Sequence, residues 1–194
     1  MNQKKKMSTE TMVLGALLTA LVFLLQLMGS FVHFGPFSIS LVLIPIVIGA
    51  ATCGVGVAAW LGLIFGVAVL TSGDAAAFLA VNIPGTVATV LVKGIACGLC
   101  AGLVYKLLEK VNLYAAVAAA AVVCPVVNTG IFLKGCKLFF MATVAQWAEA
   151  AGFGADVGKF MIVGLVGVNF LVEMVSNIFL SPVVVRLLDI RKKI

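Results

Sequence analysis

The sequence predicts an all-α membrane protein, a bundle of about six transmembrane helices, and three observations carry that prediction. Of 194 residues, 63% are hydrophobic and only 10% charged, with a mean hydropathy of +1.26. Soluble domains draw their surface from roughly 25% Asp, Glu, Lys and Arg, so these charges are too few to coat one. The apolar residues are also gathered into long runs. A run of about 20 is what a helix rising roughly 1.5 Å per residue needs to cross a hydrocarbon core of about 30 Å. Thirdly, the basic residues concentrate on one set of connections. Six spans consume most of the chain, so a single membrane domain over residues 1–194 is expected.

The first run, Thr11 to Met28, follows Lys4, Lys5 and Lys6 as a secretory leader would. It is long and lacks a small-x-small cleavage pattern before the next polar segment, which predicts a retained helix. Phe37 to Cys53 and Val55 to Thr71 form one apolar stretch too long for a single span, and Cys53-Gly54 divides it into two that just suffice. Ile83 to Tyr105, Leu113 to Leu133 and Lys159 to Leu187 complete the six.

Basic residues favour cytoplasmic loops. With the N-terminus inside, the inner segments carry Lys4, Lys5, Lys6, Lys106, Lys110, Arg186, Arg191, Lys192 and Lys193, against Lys134, Lys137 and Lys159 outside. Asp74, Glu149 and Asp156 also fall outside, so both termini are expected in the cytoplasm of a multi-pass cell-membrane protein, with Lys134 to Gly158 outside. The net charge of +6 follows from this topology. Basic helix ends lying against an anionic lipid bilayer account for it, and nothing calls for nucleic acid.

No phosphate loop, GxSxG, HExxH or dinucleotide fingerprint is present, so no catalytic residue is expected and any ATP-driven step falls to another chain. Cysteines 53, 97, 100, 124 and 136 lie mostly inside spans. Cys97-x-x-Cys100 has redox or metal spacing but no second pair and no nearby histidine, so packing is the expected role, with no metal and no cofactor. The single histidine, His33, lies in the first outer loop among Phe31, Phe34 and Phe37, placed for a loop or substrate contact.

Small residues at four-residue spacing let membrane helices approach closely. Gly54, Ala58, Gly62 and Gly66, then Gly94, Gly98 and Gly102, read as packing inside the bundle. Ala16 and Ala20 differ in placement, since the cytoplasmic half of the first helix is where a partner protein can reach, although internal packing serves equally well.

Polar groups within spans are the sharpest functional signal, because an ionisable side chain at mid-bilayer costs several kcal/mol unless paired or solvated. Asn82, Thr86, Thr89 and Lys93 fall near one face of the fourth helix. Asn169, Glu173 and Asn177 form a second polar stripe on the sixth, and Asn128 and Thr129 follow the kink expected at Pro125 in the fifth. Three helices thus point polar groups at a common outer cavity. Counting from the outer helix ends puts Lys93 and Glu173 roughly 6 Å apart along the membrane normal. A buried ion pair and a substrate contact are therefore both open readings of them.

These residues carry a resemblance. The order of Ala16-x-x-x-Ala20, Pro45-Ile-Val-Ile-Gly49-Ala50, Leu61-Gly-Leu-Ile-Phe-Gly66, Lys93-Gly94, Asn128-Thr129, Asn169-x-x-x-Glu173 and Ser181-Pro182 resembles an S component of an energy-coupling factor (ECF) vitamin transporter, in the broad group including pantothenate- and cobalamin-type members. The resemblance implies capture of a small water-soluble vitamin or related micronutrient near the outer face. Delivery would follow docking on a coupling membrane subunit driven by two ATP-binding subunits. It implies further that the last three helices and outer loops enclose the substrate, and that Ala16 and Ala20 contact the coupling subunit. Pantothenate-type members resemble Asn-Pro followed by Pro-Arg at the fourth helix, whereas this chain has Asn82-Ile-Pro84 and a Lys93 with no adjacent proline, so the resemblance names no substrate. An autonomous ion-coupled carrier using Lys93 and Glu173 is the alternative, opposed by small size and the lack of an evident internal repeat. A scaffold would explain the packing stripes but not the polar track.

Overall fold

The computed structural model describes residues 8–29, 33–34, 37–38 and 41–191. Helix α1 (Thr9–Gly29) is followed by two-residue strands β1 (His33–Phe34) and β2 (Phe37–Ser38), paired antiparallel with His33 opposite Ser38. Then come α2 (Leu43–Cys53), α3 (Val55–Ser72), the short α4 (Ala76–Leu79), α5 (Ile83–Leu108), α6 (Leu113–Phe139), α7 (Met141–Ala150) and α8 (Val157–Lys159). A π-helical segment, Phe160–Leu165, leads into α9 (Gly167–Arg191). Five of these helices are long and apolar enough to cross a membrane, and α2 is a shorter apolar helix beside them.

The expected all-α membrane bundle is present, with three differences in extent. The second apolar run supplies only the 11 residues of α2, about 16 Å, because Phe37-Ser38 is extended backbone paired with β1. Helix α6 continues past Leu133 to Phe139, so Lys134 and Lys137 sit in its last turns and the connection after it starts at Phe140. The last run is not one uniform helix: its first turns are α8 and the π-helical segment.

Local chemistry fixes the boundaries. Asn82 and Asn112 cap α5 and α6, their side-chain oxygens accepting from Gly85 N at 2.9 Å and Ala115 N at 3.1 Å, as N-cap amides do. Gly54, at φ 91°, makes the break between α2 and α3 that the sequence places at Cys53-Gly54. Gly73, at φ 93°, ends α3 in the left-handed conformation that glycine adopts without strain.

Helices α3 and α5 form the closest pair. A Cβ on Gly98 would stand 2.7 Å from the carbonyl carbon of Ala58, and one on Gly66 would stand 3.0 Å from Val90 O. The two glycine stripes therefore do pack inside the bundle, backbone against backbone. Leu43, Ile46, Leu61, Phe65, Val117 and Cys124 fill the core around them. A second cluster, Phe78, Cys136, Phe140, Val144, Ala148, Phe160 and Leu165, closes the end where α5 begins and α6 ends. Large apolar side chains such as Leu17, Trp60, Leu103, Leu171 and Phe179 are exposed, as a lipid-facing belt requires.

Helix α1 turns Gly15, Leu18, Val22 and Gln26 inward. Ala16 and Ala20 are exposed on its outer side. Their exposure leaves this face of α1 open to a neighbour from outside the bundle.

Candidate functional site

A cavity enclosing about 750 Å³ of non-atom space, part of it open to solvent, lies at the end of the bundle closed by the second aromatic cluster. Helix α5 lines it with Thr86, Thr89 and Lys93, α6 with Asn128 and Thr129, and α9 with Asn169 and Glu173. The three polar helix faces read from the sequence converge in part, with Asn82 on α5 and Asn177 on α9 outside the lining. They meet because residues three and four apart share one side of a helix, and Thr86, Thr89 and Lys93 follow that spacing.

Lys93 and Glu173 share the cavity, yet among the described residues no salt bridge joins them. The Lys93 ammonium stands 5.5 Å from the centroid of Phe65 and 5.3 Å from that of Phe132, within cation–π range of both. Glu173, 3% exposed, accepts from Asn169 Nδ2 at 3.3 Å through Oε1. Its Oε2 is buried with no hydrogen-bond partner, as are Thr89 Oγ1, Asn128 Oδ1 and Asn169 Oδ1. Most buried polar groups in folded proteins are paired, and an orphan costs about 1–3 kcal/mol. Four orphans lining one chamber are therefore the clearest mark of a polar ligand site.

The remaining site candidates sit elsewhere or in other roles. Asn82 lies outside the lining; its side chain caps α5, and its carbonyl accepts from Thr86 Oγ1 at 2.7 Å. The His33 side chain lies outside the described residues.

Two polar lining residues escaped the sequence reading. Gln26 of α1 reaches the cavity, and its Nε2 donates to Asp74 Oδ2 at 2.5 Å, which also accepts from Ser72 Oγ at 3.1 Å. A buried amide inside an apolar run was the available signal for Gln26. Asp74 carried none, as an acid in a loop is ordinarily solvated. The rings of Phe65, Phe78, Phe132, Phe140 and Phe170 complete the walls. Phe78 anchors them, edge-on to Phe132 at 5.5 Å, Phe140 at 5.0 Å and Trp147 at 5.3 Å. Phenylalanines are spread throughout this chain, so spacing could not single these out.

The fold and the site define an α-helical membrane bundle with a polar, ring-walled chamber between its later helices. The chain belongs to the family described as ECF transporter, substrate-specific component, whose model matches residues 10–185. No curated protein and no solved structure matches it. Membership makes it a substrate-specific transport subunit of a membrane ECF transporter, and such subunits are not enzymes.

Proposed function

We propose that this chain, a single membrane domain in the cell membrane, captures a small water-soluble vitamin or related micronutrient in the α5–α6–α9 cavity. It delivers that cargo through an ECF module made of a coupling membrane subunit and two ATP-binding subunits. Thr86, Thr89, Lys93, Asn128, Thr129, Asn169 and Glu173 hold the ligand, with Asn82 and His33 as further substrate contacts. The observation that carries this reading is the set of four buried, unpartnered polar atoms facing one chamber beside the Lys93 ammonium. A ligand that bonds them recovers the desolvation cost of leaving them unpaired.

The test is Lys93→Ala, which is expected to weaken solute binding by more than roughly tenfold, about 1.4 kcal/mol, while the protein stays folded. Binding measured on detergent-solubilised protein checks it; unchanged affinity would remove Lys93 from the site. Uptake by cells with and without the ATP-binding subunits separates this reading from an autonomous carrier, which needs no such module.

Both termini lie in the cytoplasm in this reading, which rests on the bias of basic residues. A single cysteine placed at the exposed Ala150, in a background free of native cysteines, is expected to react with an impermeant reagent outside intact cells. Labelling near residue 191 instead would invert the topology.

A further inference from the structure

We propose that the ligand is bifunctional: an anionic group taken by Lys93, and N–H or O–H donors taken by Glu173 and its neighbouring amides, joined by a flat apolar frame. This rests on the solute-capture reading above and narrows it to a chemical class.

Two sets of polar groups in the cavity differ in kind. Lys93 is a cation with three donors whose neighbours are the faces of Phe65 and Phe132. Ring faces attract an ammonium but accept no strong hydrogen bond from it. Among the lining residues of α6 and α9 the unpartnered atoms are the oxygens Asn128 Oδ1, Asn169 Oδ1 and Glu173 Oε2, all acceptors, while the unpartnered donor Asn177 Nδ2 on α9 lies outside the lining. The third charged group of the lining, Asp74, is already engaged by Gln26 and Ser72.

A simple anion would serve Lys93 and leave Glu173 Oε2 and two amide oxygens without donors. A simple cation would serve Glu173 and be repelled by Lys93. Leaving the buried Glu173 unmatched is the costly outcome, and the half-buried Lys93 would gain least from a cation beside it. A molecule bearing both an acidic group and donors satisfies both, and phenyl walls favour a planar frame carrying them, since aromatic rings pair by offset or edge contacts.

The full-length protein in detergent would be titrated with 3-aminobenzoate and 4-aminobenzoate, with benzoate, which lacks the donor, and with the two aminobenzamides, which lack the anion. At least one aminobenzoate is expected to bind roughly tenfold or more tightly than both benzoate and its own amide, a difference of about 1.4 kcal/mol. In Lys93→Met the preference for acid over amide should vanish, and in Glu173→Gln the preference for aminobenzoate over benzoate should shrink. The wild-type comparison stands even if a variant fails to fold. Equal affinity across the set, or no aminobenzoate binding at millimolar concentration, overturns the proposal. Small molecules released by denaturing the purified protein are identified by mass spectrometry in parallel. A recovered solute bearing both an acid and ring-borne donors supports it. A neutral or purely cationic solute sinks the bifunctional ligand but leaves solute capture standing, whereas neither a recovered solute nor probe binding sinks both.

Discussion

Replacing Ala16 and Ala20 together by tryptophan is expected to abolish ATP-dependent uptake while leaving the solute affinity of the isolated protein nearly unchanged. The two alanines lie one helical turn apart on the exposed side of α1, so their methyl groups form a shallow groove that a partner helix can approach closely. Indole rings there would hold that helix several ångströms away. Because both positions face outward, the bulk extends into lipid and the bundle is not disturbed. The cavity is also distant along the helix: Gln26, the α1 residue that lines it, is ten positions beyond Ala16, about 15 Å. The measurement is ligand affinity of the purified double variant beside its co-purification with the coupling subunits. Retained coupling with lost binding would sink the docking assignment.

Gly98→Val is expected to destabilise the protein by about 3 kcal/mol, the upper end of what overpacking costs. The reason is the identity of the neighbour: the added Cβ meets the Ala58 carbonyl carbon at 2.7 Å and Ala59 N at 3.2 Å, and backbone cannot swing aside as a side-chain tip does. Helices α3 and α5 must separate, and the contacts along both glycine stripes weaken together. At roughly 2–4 °C per kcal/mol for a chain of this size, the melting temperature should fall by on the order of 10 °C. Gly56→Ala is the control, on the partner helix α3. A Cβ there has nothing within 4 Å, so the change should be neutral or slightly stabilising through helix propensity. Equal melting temperatures for the two variants would show that the α3–α5 contact is looser than its glycines imply.

Small-residue stripes therefore differ in meaning although they look alike as strings. Gly62, Gly66, Gly94 and Gly98 meet backbone of the neighbouring helix, whereas Ala16 and Ala20 are exposed. Spacing alone states that one helix face is smooth. It does not state what lies against that face, because the answer depends on which way the helix is turned in the assembled bundle.

By itself the sequence determined the membrane class, the long helices α1, α3, α5, α6 and most of α9, the break at Gly54, and the polar faces of Thr86, Thr89 and Lys93, of Asn128 and Thr129, and of Asn169 and Glu173. Each follows from length, hydropathy or helical spacing, which are local properties of the chain. The tertiary structure decided the rest. It shortened the second apolar run to α2, because strand pairing in the preceding loop claims Phe37 and Ser38. It brought Gln26 and Asp74, 48 residues apart, into one hydrogen bond at the cavity. It left Lys93 between two phenyl rings without a salt bridge to Glu173, a matter of side-chain direction across different helices that a depth count along the membrane normal cannot resolve. Contacts between residues far apart in the chain carry no periodicity of their own, so only the folded arrangement shows them.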